Sequence, residues 1–362
     1  MQFRRNNFDV TNTVNVTDSL SVGDAVVNIF LNLFPNARAD TLLQAISYIA
    51  RLYRGEHPGY AACDTGYHDM QHTLDVTLAS ARLLDGYERS QKNGESLGEE
   101  LFVFGILLAL FHDSGYLRKR GIEDTRCGAE FTLVHVSRSE QLLRNYLLET
   151  GMSTLAETAA QAVHYTGYEI PAGRIQVPTP AHQTVGNLVA SADILAQMSD
   201  RCYLEKCHDR LYTEFVLGGI ASKRDEQGKE QVIFASPRDL VIKTPGFYRG
   251  ATKRLNETLN GAYRYADKHF GGQNLYLEAL EKNILFAEYV AANNGDIGML
   301  QRTPPKTPGS ELSSDAADNR KQQVGERRKR IGERRENTAQ SYPDLLERRQ
   351  NIGDRRMSTS ST

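Results

Sequence analysis

The chain has 362 residues, 40% hydrophobic and 24% charged, which is enough apolar content for one large core and too much for a wholly disordered protein. Its net charge of −2 is unevenly spread: residues 302–362 hold 14 Lys/Arg against 9 Asp/Glu, and the remainder 29 against 36. Cys63, Cys127, Cys202 and Cys207 form no CxxC pair and are too few for a disulfide scaffold, so reduced thiols and a cytoplasmic location are expected.

Residues 1–22 are polar and rich in Asn and Thr, lack the apolar stretch of a secretory signal, and are expected to be flexible. From 23 to 293 apolar residues recur at three- and four-residue spacing, which predicts an all-α helical bundle in one domain. The segments SRSE (137–140) and TLAE (154–157) have the form of capping boxes and place helix starts there, while Gly86 and Gly151 suit helix stops. The run LFVFGILLALF (101–111) is apolar on every side, so its helix is buried; it is far shorter than the ~20 residues that span a bilayer, and no membrane insertion is expected.

Residues 221–232 form a charged insertion, followed by turn signals at FASP (234–237) and TPG (244–246), and predict a loop or small hairpin. From 294 onward the chain is a low-complexity, Arg-rich tail. Within it VGERR (324–328), IGERR (331–335), LLERR (345–349) and IGDRR (352–356) share one seven-residue register. So little apolar content cannot build a coiled-coil seam, but paired guanidiniums suit an anionic or protein partner.

The chemistry lies between His72 and Asp193. His72, the doublet His112-Asp113, His135, His164 and Asp193 supply four imidazoles and two carboxylates, good ligands for divalent transition metals. A carboxylate next to a histidine can bridge two ions. The apolar helix delivers His112-Asp113 into the interior, where an uncompensated carboxylate is costly and a cation resolves the conflict. Asp193 stands on the apolar face of Gly186, Val189, Ala190 and Ala196, and the same reasoning applies. In YHDMQHTLDV (67–76), His68 and His72 are four apart and share a helix face with Asp75. Tyr67, Tyr116, Tyr165 and Tyr168 flank ligands and could wall a base pocket, and Arg118, Lys119 and Arg120 could meet phosphate charge. Cys202 and Cys207 read as core. The sequence contains no P-loop, no dinucleotide-binding glycine fingerprint opening a helix after a strand, and no GxSxG elbow.

Over about residues 40–290 the order H…HD…D with extra histidines resembles the HD-domain superfamily of metal-dependent phosphohydrolases. YHDMQHTLDV is similar to the YHNxxHAxDV signature of class I cyclic-nucleotide phosphodiesterases, and the stretch from Ala192 through LYTEF (211–215) resembles bacterial proteins of the HD/PDEase type. Two positions depart: Asp69 replaces an Asn, and Tyr116 stands where a second histidine follows the HD pair. The resemblance implies two divalent ions (Mn, Mg, Fe or Zn) held by His72, His112, Asp113, His135, His164 and Asp193, and a nucleotide-like phosphoester as substrate. It gives His68 the role of general acid to the leaving oxygen. The same ligand order occurs in di-iron members of the superfamily, so a di-iron oxygenase is the first alternative; a non-catalytic nucleotide-binding signalling module is the second.

Overall fold

The computed structural model describes residues 3–91, 96–224, 227 and 229–307. As the apolar spacing predicts, the described chain is all-α. It begins with α1 (Ser19–Leu33), α2 (Asp40–Tyr53), α3 (Met70–Ser90) and α4 (Gly98–Phe111). Next come α5 (His135–Glu149), α6 (Ser153–Ala162) and α7 (Pro180–Ser199). After these, α8 (Tyr203–Lys206) and α9 (Tyr212–Leu217) form one continuous helix, joined by a wider π turn at Cys207–Leu211. The last three are α10 (Pro237–Lys253), α11 (Ala266–His269) and α12 (Leu275–Ala292). Strands β1 (Ser222–Arg224) and β2 (Glu230–Val232) pair antiparallel as a small hairpin inside the charged insertion.

Two helices are sunk in the core for nearly their whole length. α3 is buried from Gln71 to Gly86 except at Asp75, and packs on α1, α4 and α7. α4 is fully buried from Phe104 to Phe111, as its all-apolar sequence requires. Because α3, α4 and α7 are mutual neighbours, the residues they carry inward meet at one place. The far end of α7 is tied by Asn283 of α12, whose amide donates to the carbonyls of Met198 (2.9 Å) and Asp200 (2.7 Å). All four cysteines are buried and free.

The N-terminal segment, expected to be flexible, is folded against the body through Asp9. Asp9 accepts from the amides of Thr11, Thr13 and Val14, and its buried carboxylate meets Arg82 of α3 at 2.5 Å. This buried pair, invisible in a local reading of a polar stretch, pins the arm to the core. The tail boundary also moves: residues 294–307 are folded on the body, with Leu300 and Pro304 buried. The Pro305 carbonyl accepts from Arg210, Asn6 donates to the Thr303 carbonyl at 3.0 Å, and the Thr307 hydroxyl bonds to Asp69. The Arg-rich heptads lie outside the described residues.

Three local expectations are corrected. Helix α5 starts at His135, and its free amides are capped from a distance by Glu169, which accepts from the N–H of Val136 (2.8 Å) and of Ser137 (3.1 Å). α6 starts at Ser153 with no side-chain cap, so neither capping box forms. Gly86 lies inside α3 rather than at its end: a Cβ there would stand 1.8 Å from the Tyr265 carbonyl oxygen, so the glycine serves close packing. Gly151 does follow a helix end, with a left-handed φ of 80°. Pro245 does not break the chain into a turn, because α10 runs through it with Leu240, Val241, Tyr248 and Ala251 buried on its inner face.

Burial raises the Asp9 pKa, but Arg82 and the surrounding hydrogen bonds outweigh this and hold it below the ordinary carboxylate value. The stability contribution is therefore full above the unfolded pKa of about 3.9 and is lost as pH falls through the lower folded value. Asp9→Ala is expected to lower the unfolding free energy in urea at neutral pH by about 3–5 kcal/mol, the cost of orphaning a buried charge. A change within about 0.5 kcal/mol would show the arm to be dispensable.

Candidate metal centre

Each element brings its site residue in for a local reason. Asp69 caps α3 by accepting from the His72 N–H at 3.0 Å, which sets His72 in the first turn; Asn and Asp cap equally well, which accounts for Asp at this position. His68 therefore precedes the helix and does not share its face. α4 ends at Phe111 and projects His112 and Asp113, followed by a tight 3-10 turn, Ser114–Tyr116. That turn is stapled to α5 by Ser139, whose hydroxyl donates to the His112 carbonyl (2.6 Å) and accepts from the Gly115 amide (2.8 Å). A Cβ at Gly115 would stand 1.8 Å from the His135 carbonyl oxygen, so only glycine lets α5 approach this closely.

The ligand atoms converge. His72 Nε2 lies 3.3 Å from Asp113 Oδ2, 3.3 Å from Asp193 Oδ1 and 3.3 Å from His112 Nε2. His112 Nε2 is 3.2 Å from Asp113 Oδ2 and 3.9 Å from Asp193 Oδ1. Donors held at about 2.0–2.2 Å from one ion stand roughly 3–3.5 Å apart, so the spacing suits a common cation. His112 Nδ1 donates to the Ala109 carbonyl at 2.8 Å, which leaves Nε2 with a bare lone pair facing the cluster. Asp113 Oδ2 is buried and has no hydrogen-bond partner. An orphaned carboxylate oxygen ringed by imidazole nitrogens is the fit expected of a metal ligand, and His72, His112 and Asp113 can together hold a metal ion.

The electrostatics agree. Burial lowers the His72 pKa, but Asp113 and Asp193 outweigh it and push it up to about 10. Burial likewise opposes ionisation of Asp113, yet His112 and His72 hold its pKa well below the usual carboxylate range. The cluster thus draws in positive charge, which a proton or a metal ion can supply.

His135 comes alongside, with Nε2 3.5 Å from Asp113 Oδ1 and Nδ1 bonded to the Thr132 carbonyl at 2.7 Å. Burial lowers its pKa, which favours the neutral, ligating ring. The Tyr116 ring stacks on both His68 and His135, with centroids 4.6 Å apart in each pair, and the two imidazole centroids are themselves 6.4 Å apart. His68 Nδ1 is held by Glu214 Oε2 at 2.6 Å. Burial lowers the His68 pKa, and Glu214 more than restores it, so the net shift is upward.

Other expected residues are used differently. His164 Nε2 pairs with Glu140 Oε2 at 2.9 Å and its Nδ1 is buried without a hydrogen-bond partner; among the described residues it makes no ion pair with Asp113 or Asp193, unlike His72 and His112. Tyr165 packs its ring over Gly186 in the core instead of walling a pocket. Arg118 is bound to Asp64 at 2.6 Å, and Arg120 to the carbonyls of Tyr60 and Gly55, so both brace loops. Tyr67 and Tyr168 do line a cavity of about 680 Å³ that opens from the cluster, together with Tyr116. Glu214 escapes a reading of the sequence, although an acid within LYTEF that ends up 4% exposed carries the same signal that singles out Asp113. Gln197, Tyr203 and the phenylalanines of the cavity wall carry no chemical signal in the sequence.

A family model described as Npun_R2479-like matches residues 56–289, well over half of the chain and all of the cluster. The chain belongs to the Npun_R2479-like family. Within the family's span fall α3 to α11, the hairpin and most of α12. No curated protein matches the chain. Among the described residues no helix is long and apolar enough to cross a membrane.

Full-length protein dialysed against Mn²⁺ or Zn²⁺ is expected to retain the ion, to lose it in Asp113→Ala, and to keep it in His164→Ala, as read by elemental analysis. Retention in the first variant or loss in the second would contradict the assignment.

Proposed function

We propose that the chain is a metal-dependent phosphohydrolase. The observation that carries this reading is the buried, unpartnered Asp113 oxygen facing His72 and His112, with Asp193 alongside and a large cavity above it. His72, His112, Asp113 and Asp193 would hold one divalent ion, and His135 with the other Asp113 oxygen would serve a second. Such ions supply Lewis-acid polarisation of a phosphoryl oxygen and of the attacking water.

The protein's own groups do the rest. Glu214 fixes His68 through Nδ1, so the ring presents Nε2, and stacking on Tyr116 sets its plane. From Nε2 the ring can pass a proton to the departing alkoxide, while Glu214 favours the charged ring before transfer. The burial of His72, His112 and Asp113 lowers the local dielectric, which strengthens these interactions. A di-iron oxygenase has less support, because it has no use for a proton donor such as His68, which Glu214 holds through Nδ1.

His68→Ala in the metal-loaded full chain is expected to reduce kcat for a phosphodiester by about 10²–10⁴-fold with unchanged metal content. Unchanged turnover, or failure of the metal-loaded protein to cleave any phosphomonoester or phosphodiester, would overturn the reading.

A further inference from the structure

The cavity is much larger than the metal cluster, and its second half has a different chemistry. Leu211, Phe215, Ile220, Phe234, Leu240 and Phe247, drawn from the π turn, α9, the segments flanking the hairpin, and α10, give its lining an apolar arm. Phe215 and Phe234 stack face to face, with centroids 5.6 Å apart and planes 28° from parallel.

The polar groups nearest these apolar side chains, Lys243 and Thr244 of α10, are engaged with the protein. Thr244 Oγ1 donates to the Leu240 carbonyl at 3.0 Å, and Lys243 Nζ donates to the Ile233 carbonyl (2.6 Å) and to Asp239 (2.8 Å). Arg254 Nη2 donates to the carbonyls of Tyr165 (2.7 Å) and Gly167 (2.8 Å), its guanidinium lies 4.0 Å from the Tyr168 ring centroid, and its Nε is buried without a hydrogen-bond partner on the Tyr168 side of the lining. Gln197, the one amide side chain in the lining, accepts from the Tyr67 hydroxyl at 3.4 Å through its Oε1. A nucleobase carries several donors and acceptors, and buried in this arm it would leave them unmet, at the full desolvation cost of each.

The cavity also reaches solvent beside large apolar side chains. Leu133, Tyr168 and Phe247 line it while remaining 64%, 75% and 41% exposed. Large apolar side chains left in water at the rim of a cavity mark the entry of an apolar ligand.

We infer that the arm takes a hydrocarbon chain, so that the substrate is a phosphoester of an apolar alcohol in place of the nucleotide-like compound expected on sequence resemblance. This rests on the hydrolytic reading of the metal centre for its phosphoester part only. The phosphoryl group lies against His72, His112, Asp113 and His68, and the chain extends past Phe215 and Phe234 toward Phe247. Each methylene buried should raise affinity about fourfold until the arm is filled.

The test has two independent readouts on the full-length, Mn²⁺-loaded protein. Calorimetry with ethyl-, butyl- and octylphosphonate, which cannot be hydrolysed at the P–C bond, is expected to show affinity climbing more than tenfold across the series. In parallel, alkyl para-nitrophenyl phosphodiesters should be cleaved with a kcat/KM that climbs from the methyl to the octyl ester. Phe234→Ser is expected to flatten both trends; Phe247→Ser, at a half-exposed position that folding tolerates, serves as the second variant and should weaken octylphosphonate more than ethylphosphonate. Chain-length dependence in calorimetry without hydrolysis of any ester would sustain the arm and remove the hydrolase. Hydrolysis and binding that ignore chain length, or a nucleoside monophosphate binding more tightly than octylphosphonate, would overturn the arm and leave the hydrolase standing.

Discussion

A carboxylate at the end of a helix that is apolar on every side has to be compensated, and the architecture around Asp113 is organised by that demand. α4 carries Asp113 to a depth where water cannot solvate it. Imidazoles from α3 and from the end of α4 face its oxygen, a second carboxylate arrives from α7, and the negative charge so gathered draws in a proton or a cation. The requirement also explains why the outer ring nitrogens are held by backbone carbonyls: Ala109 and Thr132 accept from His112 and His135 and turn their free nitrogens inward.

Around that centre the fold devotes small, specific features to positioning. Ser139 and Gly115 bind the HD turn to α5, and Glu169 caps α5 so that His135 can stand at its first turn. The π turn at Cys207–Leu211 brings Glu214 onto His68 while offering Leu211 and Cys207 to the cavity. Arg210, on the same turn, reaches the Pro305 carbonyl and Asp69, so the C-terminal strap buttresses the residue that caps α3. The partners of His68 and of Asp69 and part of the cavity wall thus share a single helical segment.

Much of this is legible in the sequence because burial of charge is written into local pattern. The apolar run before His112-Asp113 and the small-residue face around Asp193 each set an acid where only a cation or a partner justifies it, and both acids meet at the cluster. The helical body follows from spacing alone. What is not legible depends on partners distant in the chain. His164 has the same local look as His135, yet Glu140 claims it. Arg118 looks free until Asp64 is found beside it, and Tyr165 looks like a pocket wall until Gly186 admits its ring to the core. The N-terminal arm reads as loose because Arg82, which pins it, lies 73 residues away. Only tertiary geometry separates these cases.

The most direct measurement is X-ray absorption at the metal edge of the full-length protein loaded with one equivalent of Zn²⁺. The account predicts a coordination sphere containing two imidazole nitrogens, from His72 and His112, together with carboxylate oxygen, and loss of the imidazole multiple-scattering signal in a His72→Ala, His112→Ala double variant. A sphere of oxygens alone, or an ion that the double variant holds unchanged, would contradict it.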